Sequence, residues 1–70
     1  MNSVQLKNHL LKMMEDAITN DKVTNTHACF WYAVIETIMK YYMTVSNYYE
    51  ENAIATFQLF LDKGILNFNL

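Results

Sequence analysis

Residues 28–49 read ACFWYAVIETIMKYYMTVSNYY, and the way this stretch folds decides the architecture of the chain. Read as a helix, it places Ala33, Thr37, Lys40, Thr44, Asn47 and then Glu51 at spacings of three and four, along one narrow line. Phe30, Trp31, Val34, Ile35, Ile38, Met39, Tyr41, Tyr42, Met43, Val45, Tyr48 and Tyr49 take up the rest of the circumference, interrupted only by Glu36, Ser46 and the edge at Cys29. A helix that is apolar over most of its girth has to be surrounded. A chain of 70 residues has little left with which to surround it, so the sequence points to association.

Size sharpens that expectation. A chain of this length makes one small domain, residues 1–70, and buries only about 60% of its unfolded surface. Small domains compensate with disulfides, a metal, dense helix packing or oligomerisation. Cys29 stands alone, so no disulfide forms within one chain. A hydrophobic content of 53%, with 14% aromatic residues, then favours a homodimer whose second helices pack across a two-fold axis.

Charge narrows the choice of partner. The net charge is −2, and every basic residue is a lysine: Lys7, Lys12, Lys22, Lys40 and Lys63, spread along the chain. Without arginine there is no planar fork for guanine or bidentate phosphate contacts, and scattered lysines make no basic stripe. Nucleic acid and anionic membranes are therefore not the expected partners. The polar start, Met1-Asn2-Ser3, and the free cysteine lead to the expectation of a chain without an export signal in a reducing cytoplasm. Heavy use of Asn, Lys, Tyr and Ile, with no Pro or Arg, resembles the usage of AT-rich genomes, which suggests a phage, virus, plasmid or low-GC bacterium as the source.

Flanking the central stretch are two amphipathic segments. Leu6, Leu10, Met13, Met14, Ala17 and Ile18 recur at helical spacing over residues 3–19, with Val4 and Leu11 at the margins and Asn8, Lys12, Glu15 and Thr19 opposite. Asn2 followed by Gln5 reads as a capping box. The polar run over residues 20–26 is the first connection, with Thr24 or Thr26, or Asp21, as cap of the second helix. Ser46-Asn47 interrupts the apolar run, and Asn47 with Glu50 makes a second capping box, so a break is expected there rather than one helix from His27 to Lys63. The third helix carries Ala53, Ile54, Phe57, Phe60 and Leu61 on one face and closes with Lys63 and Gly64. Beyond it, Leu66, Phe68 and Leu70 alternate with Asn67 and Asn69, the period of an extended segment. Such a tail is expected to pack over the helices or to cross to a second subunit.

Chemistry is sparse. His27, Cys29 and His9 are possible zinc donors, but the paired spacing of a structural site is missing. Cys29 as nucleophile lacks a placed base and a glycine loop for an oxyanion hole. Glu36 is a candidate proton donor in an apolar helix, yet Lys40 follows it at the order that favours an exposed ion pair. A membrane span over residues 28–49 is opposed by the same two charges, at roughly 2.5–3.5 kcal/mol each near the centre of a bilayer.

The expected fold is accordingly all-α, a small bundle of two to three helices, dimeric, with an apolar C-terminal tail packed on it. Its core is expected from Leu10, Met14, Phe30, Val34, Ile38, Ile54, Phe57 and Leu61. The expected function is that of a small non-enzymatic regulator or inhibitor that binds a protein, without cofactor or metal. Tyr, Trp and Met are enriched in interface cores, and the contact residues expected on that basis are Trp31, Ile35, Ile38, Met39, Tyr42, Tyr49 and Phe68. An assembly subunit of a larger complex and a repressor-like DNA-binding domain are the alternatives, the latter lacking a basic helix.

Overall fold

The computed structural model describes residues 1–23 and 28–63. These residues form three packed helices and no strand: α1 over Ser3–Thr19, α2 over Ala28–Thr44 and α3 over Glu50–Lys63. The Met1 amino group lies 3.1 Å from Glu50 Oε2, and the Tyr42 hydroxyl donates to the Met1 carbonyl at 3.1 Å. The start of α1 thus meets the end of α2 and the start of α3, which makes the bundle run up, down and up.

Local chemistry explains each end. Gln5 N–H donates to Asn2 Oδ1 at 2.9 Å, and Asn2 N–H donates to Gln5 Oε1 at 3.1 Å, the expected capping box. At the other end of α1, Lys22 N–H donates to the Ala17 carbonyl at 2.9 Å and Asp21 N–H to the Ile18 carbonyl at 3.1 Å. These two bonds are a Schellman ending. Its left-handed position, normally a glycine, is held by Asp21 at φ 59°. Val23, directly after, is buried against the core.

The break between the second and third helices is present, but two residues later than Asn47 and Glu50 suggest. Tyr49 caps α3: its N–H donates to Asn52 Oδ1 at 2.8 Å, and its carbonyl accepts from Asn52 N–H at 3.0 Å. This is half of a capping box, since a tyrosine offers no short side-chain oxygen to the first turn. Glu50 and Glu51 occupy that turn and Lys63 the last, in the order the helix dipole favours. The expected caps at Thr24 and Thr26, the glycine ending at Gly64 and the tail at 65–70 lie outside the described residues.

The core closes within one chain. Leu6, Leu10, Met14 and Ala17 from α1 meet Trp31, Ile35, Ile38 and Met39 from α2 and Ala53, Phe57 and Leu61 from α3, with Val23 between them. Trp31 and Phe57 pack edge to face at 5.8 Å and 85°, a geometry that sets the positive ring edge against the negative face. Val34 and Ile54 are half-buried at the margin. Phe30, expected in the core, is instead 50% exposed. Neighbours on a helix point about 100° apart, so with Trp31 at the centre of the core Phe30 lies to one side of it, where it lines the groove between α2 and α3.

Glu36 also departs from expectation. Its carboxylate reaches Lys7 Nζ of α1 at 2.6 Å rather than Lys40. A contact between helices replaces the pair expected within one, and at this exposure it is worth about 1 kcal/mol or less. Among the described residues no helix is long and apolar enough to cross a membrane.

Candidate protein-binding surface

α2 carries two parallel stripes, each with spacings of four, three and four. The first is Trp31, Ile35, Ile38 and Tyr42; the second is Phe30, Val34, Thr37 and Tyr41. The first faces the bundle interior. Trp31 is fully buried, Ile35, Ile38 and Met39 nearly so, and Tyr42 is half-buried where it ties down Met1. The second stripe lines an open groove of about 540 Å³ between α2 and α3.

The groove is built from both helices. Phe30, Ala33, Val34, Thr37 and Tyr41 form one wall, Thr56 and Phe60 the other, with Tyr48 at one end and Ile38 at the base. Tyr41 and Tyr48 stack at 6.0 Å in a tilted pair. Because α2 and α3 run in opposite directions, Phe30 and Phe60 lie at one end of the groove and Tyr41 and Tyr48 at the other.

The hydroxyls of Thr37, Tyr48 and Thr56 in this lining are already engaged. Thr37 Oγ1 donates to the Ala33 carbonyl at 2.9 Å, and Tyr48 Oη donates to Thr56 Oγ1 at 3.1 Å. Among the described residues, no carboxylate, amine, imidazole or thiol borders the groove. The described lining therefore offers mainly apolar contact.

On the other flank of α2, the spacing Tyr32, Glu36, Met39, Met43 follows a third line. Glu36 marks it as the α1 side through its bond to Lys7. Tyr32 is 50% and Met43 68% exposed there. Further exposed apolar side chains stand at the α2–α3 turn, where Val45 and Tyr49 project.

The contact residues expected from sequence are thus divided by the fold. Trp31, Ile35, Ile38 and Met39 serve the core of their own chain, so a partner would have to open the bundle to reach them. Tyr42 is partly accessible and Tyr49 is exposed, while Phe68 lies outside the described residues. The expected contact residues leave out Phe30, Tyr41 and Phe60, which line the groove. The signal is two stripes on one helix, which the sequence presents as a single apolar girth.

Trp31 has a further peculiarity. Its Nε1 is buried and finds no acceptor among the described residues. His9 and Cys29 are exposed and His27 lies outside the described residues. Among the described residues no group of three or more His, Cys, Asp or Glu side chains gathers in a ligand-like cluster. Comparisons with protein-family models, with curated proteins and with solved structures find no match to this chain.

Proposed function

We propose that the protein is a small non-enzymatic regulator or inhibitor that works by binding another protein through the outward side of α2, and that it self-associates through the α1-side flank of the same helix. The carrying observation is that α2 stays apolar on its solvent side after the core of the bundle is complete: Phe30, Tyr32, Tyr41 and Met43 are each half exposed or more. Surface that folding does not need and solvent does not favour is the mark of a contact site. Tyrosines suit the role, because each ring is apolar and each hydroxyl stays hydrated until a partner arrives.

Self-association has a specific support. Beside Tyr32 and Met43 sits the Lys7–Glu36 pair, whose side chains are 45% and 63% exposed. A two-fold axis brings a surface against its own copy. Lys7 of one copy can then face Glu36 of the other while the flanking apolar side chains pack. The closed core favours a regulator that folds alone over an assembly subunit that needs its complex in order to fold. Nucleic-acid binding finds no support, since Lys7 and Lys12 are engaged with Glu36 and Asp16.

Light scattering after size exclusion tests this reading, with the wild type compared against Tyr32→Lys/Met43→Lys. The expected result is a dimer for the wild type and an 8.3 kDa monomer with unchanged helix content for the variant. A wild type that is monomeric at tens of micromolar overturns self-association through this flank.

A further inference from the structure

Self-association through the α1-side flank of α2 leaves two ways for the copies to meet, and the charges on that flank choose between them. We infer that the two-fold axis of the dimer runs along the helices. α1 of each copy then lies over α2 of the other, and the two Lys7–Glu36 pairs merge into a ring of four alternating charges. This inference rests on the self-association proposed above and adds its axis and its register.

The flank is built around that ion pair. Lys7 Nζ and Glu36 Oε1 are 2.6 Å apart, and their side chains are 45% and 63% exposed. α1 and α2 are antiparallel, since Tyr42 reaches Met1 while Glu36 reaches Lys7. The pair therefore fixes the level of the residues beside it. Leu11 and Tyr32, four residues away on the side remote from Met1, both lie about 6 Å from it along the helices. Val4 and Met43 lie on the Met1 side, at about 5 and 10 Å. Side chains tilt toward the N-terminus of their own helix, so those of Val4 and Met43 converge. Val4 and Met43 are two-thirds exposed and Tyr32 half, while Leu11 is partly buried. The patch is an ion pair with an apolar pair at each end.

Docked face to face on its own copy, such a patch has two simple two-fold solutions. With the axis across the helices, Lys7 meets Lys7 and Glu36 meets Glu36, and like charges oppose each other at the centre. With the axis along the helices, Lys7 of each copy meets Glu36 of the other. Like charges set together at an interface are strongly disfavoured, so the second solution is selected. It sets Val4 against Met43 and Leu11 against Tyr32 across the seam. Each ammonium keeps its own carboxylate and gains that of the other copy, which offsets the water that both groups lose. The next charges out, Lys40 and Glu15, sit farther round their helices and outside the ring.

The test is isotope-filtered nuclear Overhauser spectroscopy on a mixture of labelled and unlabelled full chain, in which every cross-peak joins two copies. Cross-peaks from the Val4 methyls to the Met43 methyl, and from the Leu11 methyls to the Tyr32 ring, are expected. Cross-peaks joining Val4 to Leu11 and Met43 to Tyr32 instead overturn the axis along the helices. A dimer whose filtered cross-peaks avoid all four side chains overturns the flank as its seam. A monomer by light scattering overturns the self-association beneath the inference, a result distinct from either.

Charge exchange gives a second reading. Lys7→Glu and Glu36→Lys each turn the ring into four like charges and should raise the dimer Kd about tenfold or more. Mixed in equal amounts, the two variants should recover a dimer holding one copy of each, seen by native mass spectrometry. Variants that each dimerise as the wild type does place the charges away from the seam and overturn the inference. The filtered wild-type spectrum decides even if a variant fails to fold.

Discussion

α1 and α2 are equal in length, 17 residues each, and opposite in what they show to solvent. α1 buries Leu6, Leu10, Met14 and Ala17 and turns Asn8, Lys12, Glu15 and Thr19 outward. α2 buries Trp31, Ile35, Ile38 and Met39 and turns Phe30, Tyr32, Tyr41 and Met43 outward. One inward stripe per helix is enough to close the bundle, as α1 demonstrates. The outward apolar side chains of α2 lie outside that buried core, and the proposed contact surface is built on them.

The comparison breaks most visibly in the core. Phe57→Ala removes the ring that packs edge to face with Trp31 and should cost about 3–5 kcal/mol. For a domain whose whole stability is of the order of 5 kcal/mol, that leaves about 0–2 kcal/mol, so between roughly 3% and half of the molecules are unfolded at 25 °C. Urea denaturation followed by the single tryptophan reads it, and a loss under 1 kcal/mol would mean the inward stripe is not where the stability lies.

Next in size are the ends of α1. Asn2→Ala removes one side of the capping box and should destabilise by about 1 kcal/mol. Asp21→Gly should act in the opposite sense, by up to about 1 kcal/mol, since it relieves a non-glycine residue at φ 59°. The gain is reduced by the extra freedom glycine brings to the unfolded chain. Thermal melts of the two variants should therefore shift to opposite sides of the wild type.

Smallest in stability, and most telling for function, is the outward side. Tyr32→Lys and Met43→Lys should each change the unfolding free energy of the monomer by no more than about 0.5 kcal/mol, because both side chains are already half exposed or more. Their effect should fall on association instead. If either one unfolds the chain, the division between the two sides of α2 is misplaced.

Much of this architecture was legible in the sequence. An all-helical bundle of two to three helices, a break in the region of Ser46-Asn47, the capping box at Asn2 and the burial of Leu10, Met14, Ile38, Phe57 and Leu61 follow from periodicity and composition, although the cap of α3 is Tyr49 and not Asn47. Phe30 was not legible as surface. Two equally spaced apolar stripes on α2 satisfy the same periodicity, and only packing against α1 and α3 selects Trp31 over Phe30. The Lys7–Glu36 bond was hidden for the same reason, since pattern rules see partners four residues apart and not partners on another helix. Asp21 as a helix ending escaped because its position calls for glycine. The groove itself combines residues of α2 and α3 that no window of sequence contains.

The most direct test of the central claim is the absolute mass in solution of the wild type and of Tyr32→Lys/Met43→Lys, measured together with helix content by circular dichroism. Two apolar sides with separate duties predict a wild-type dimer and a variant of 8.3 kDa whose helical signal is intact. A variant that loses its helices as it dissociates would contradict the claim, because the outward side of α2 would then be part of what holds the fold.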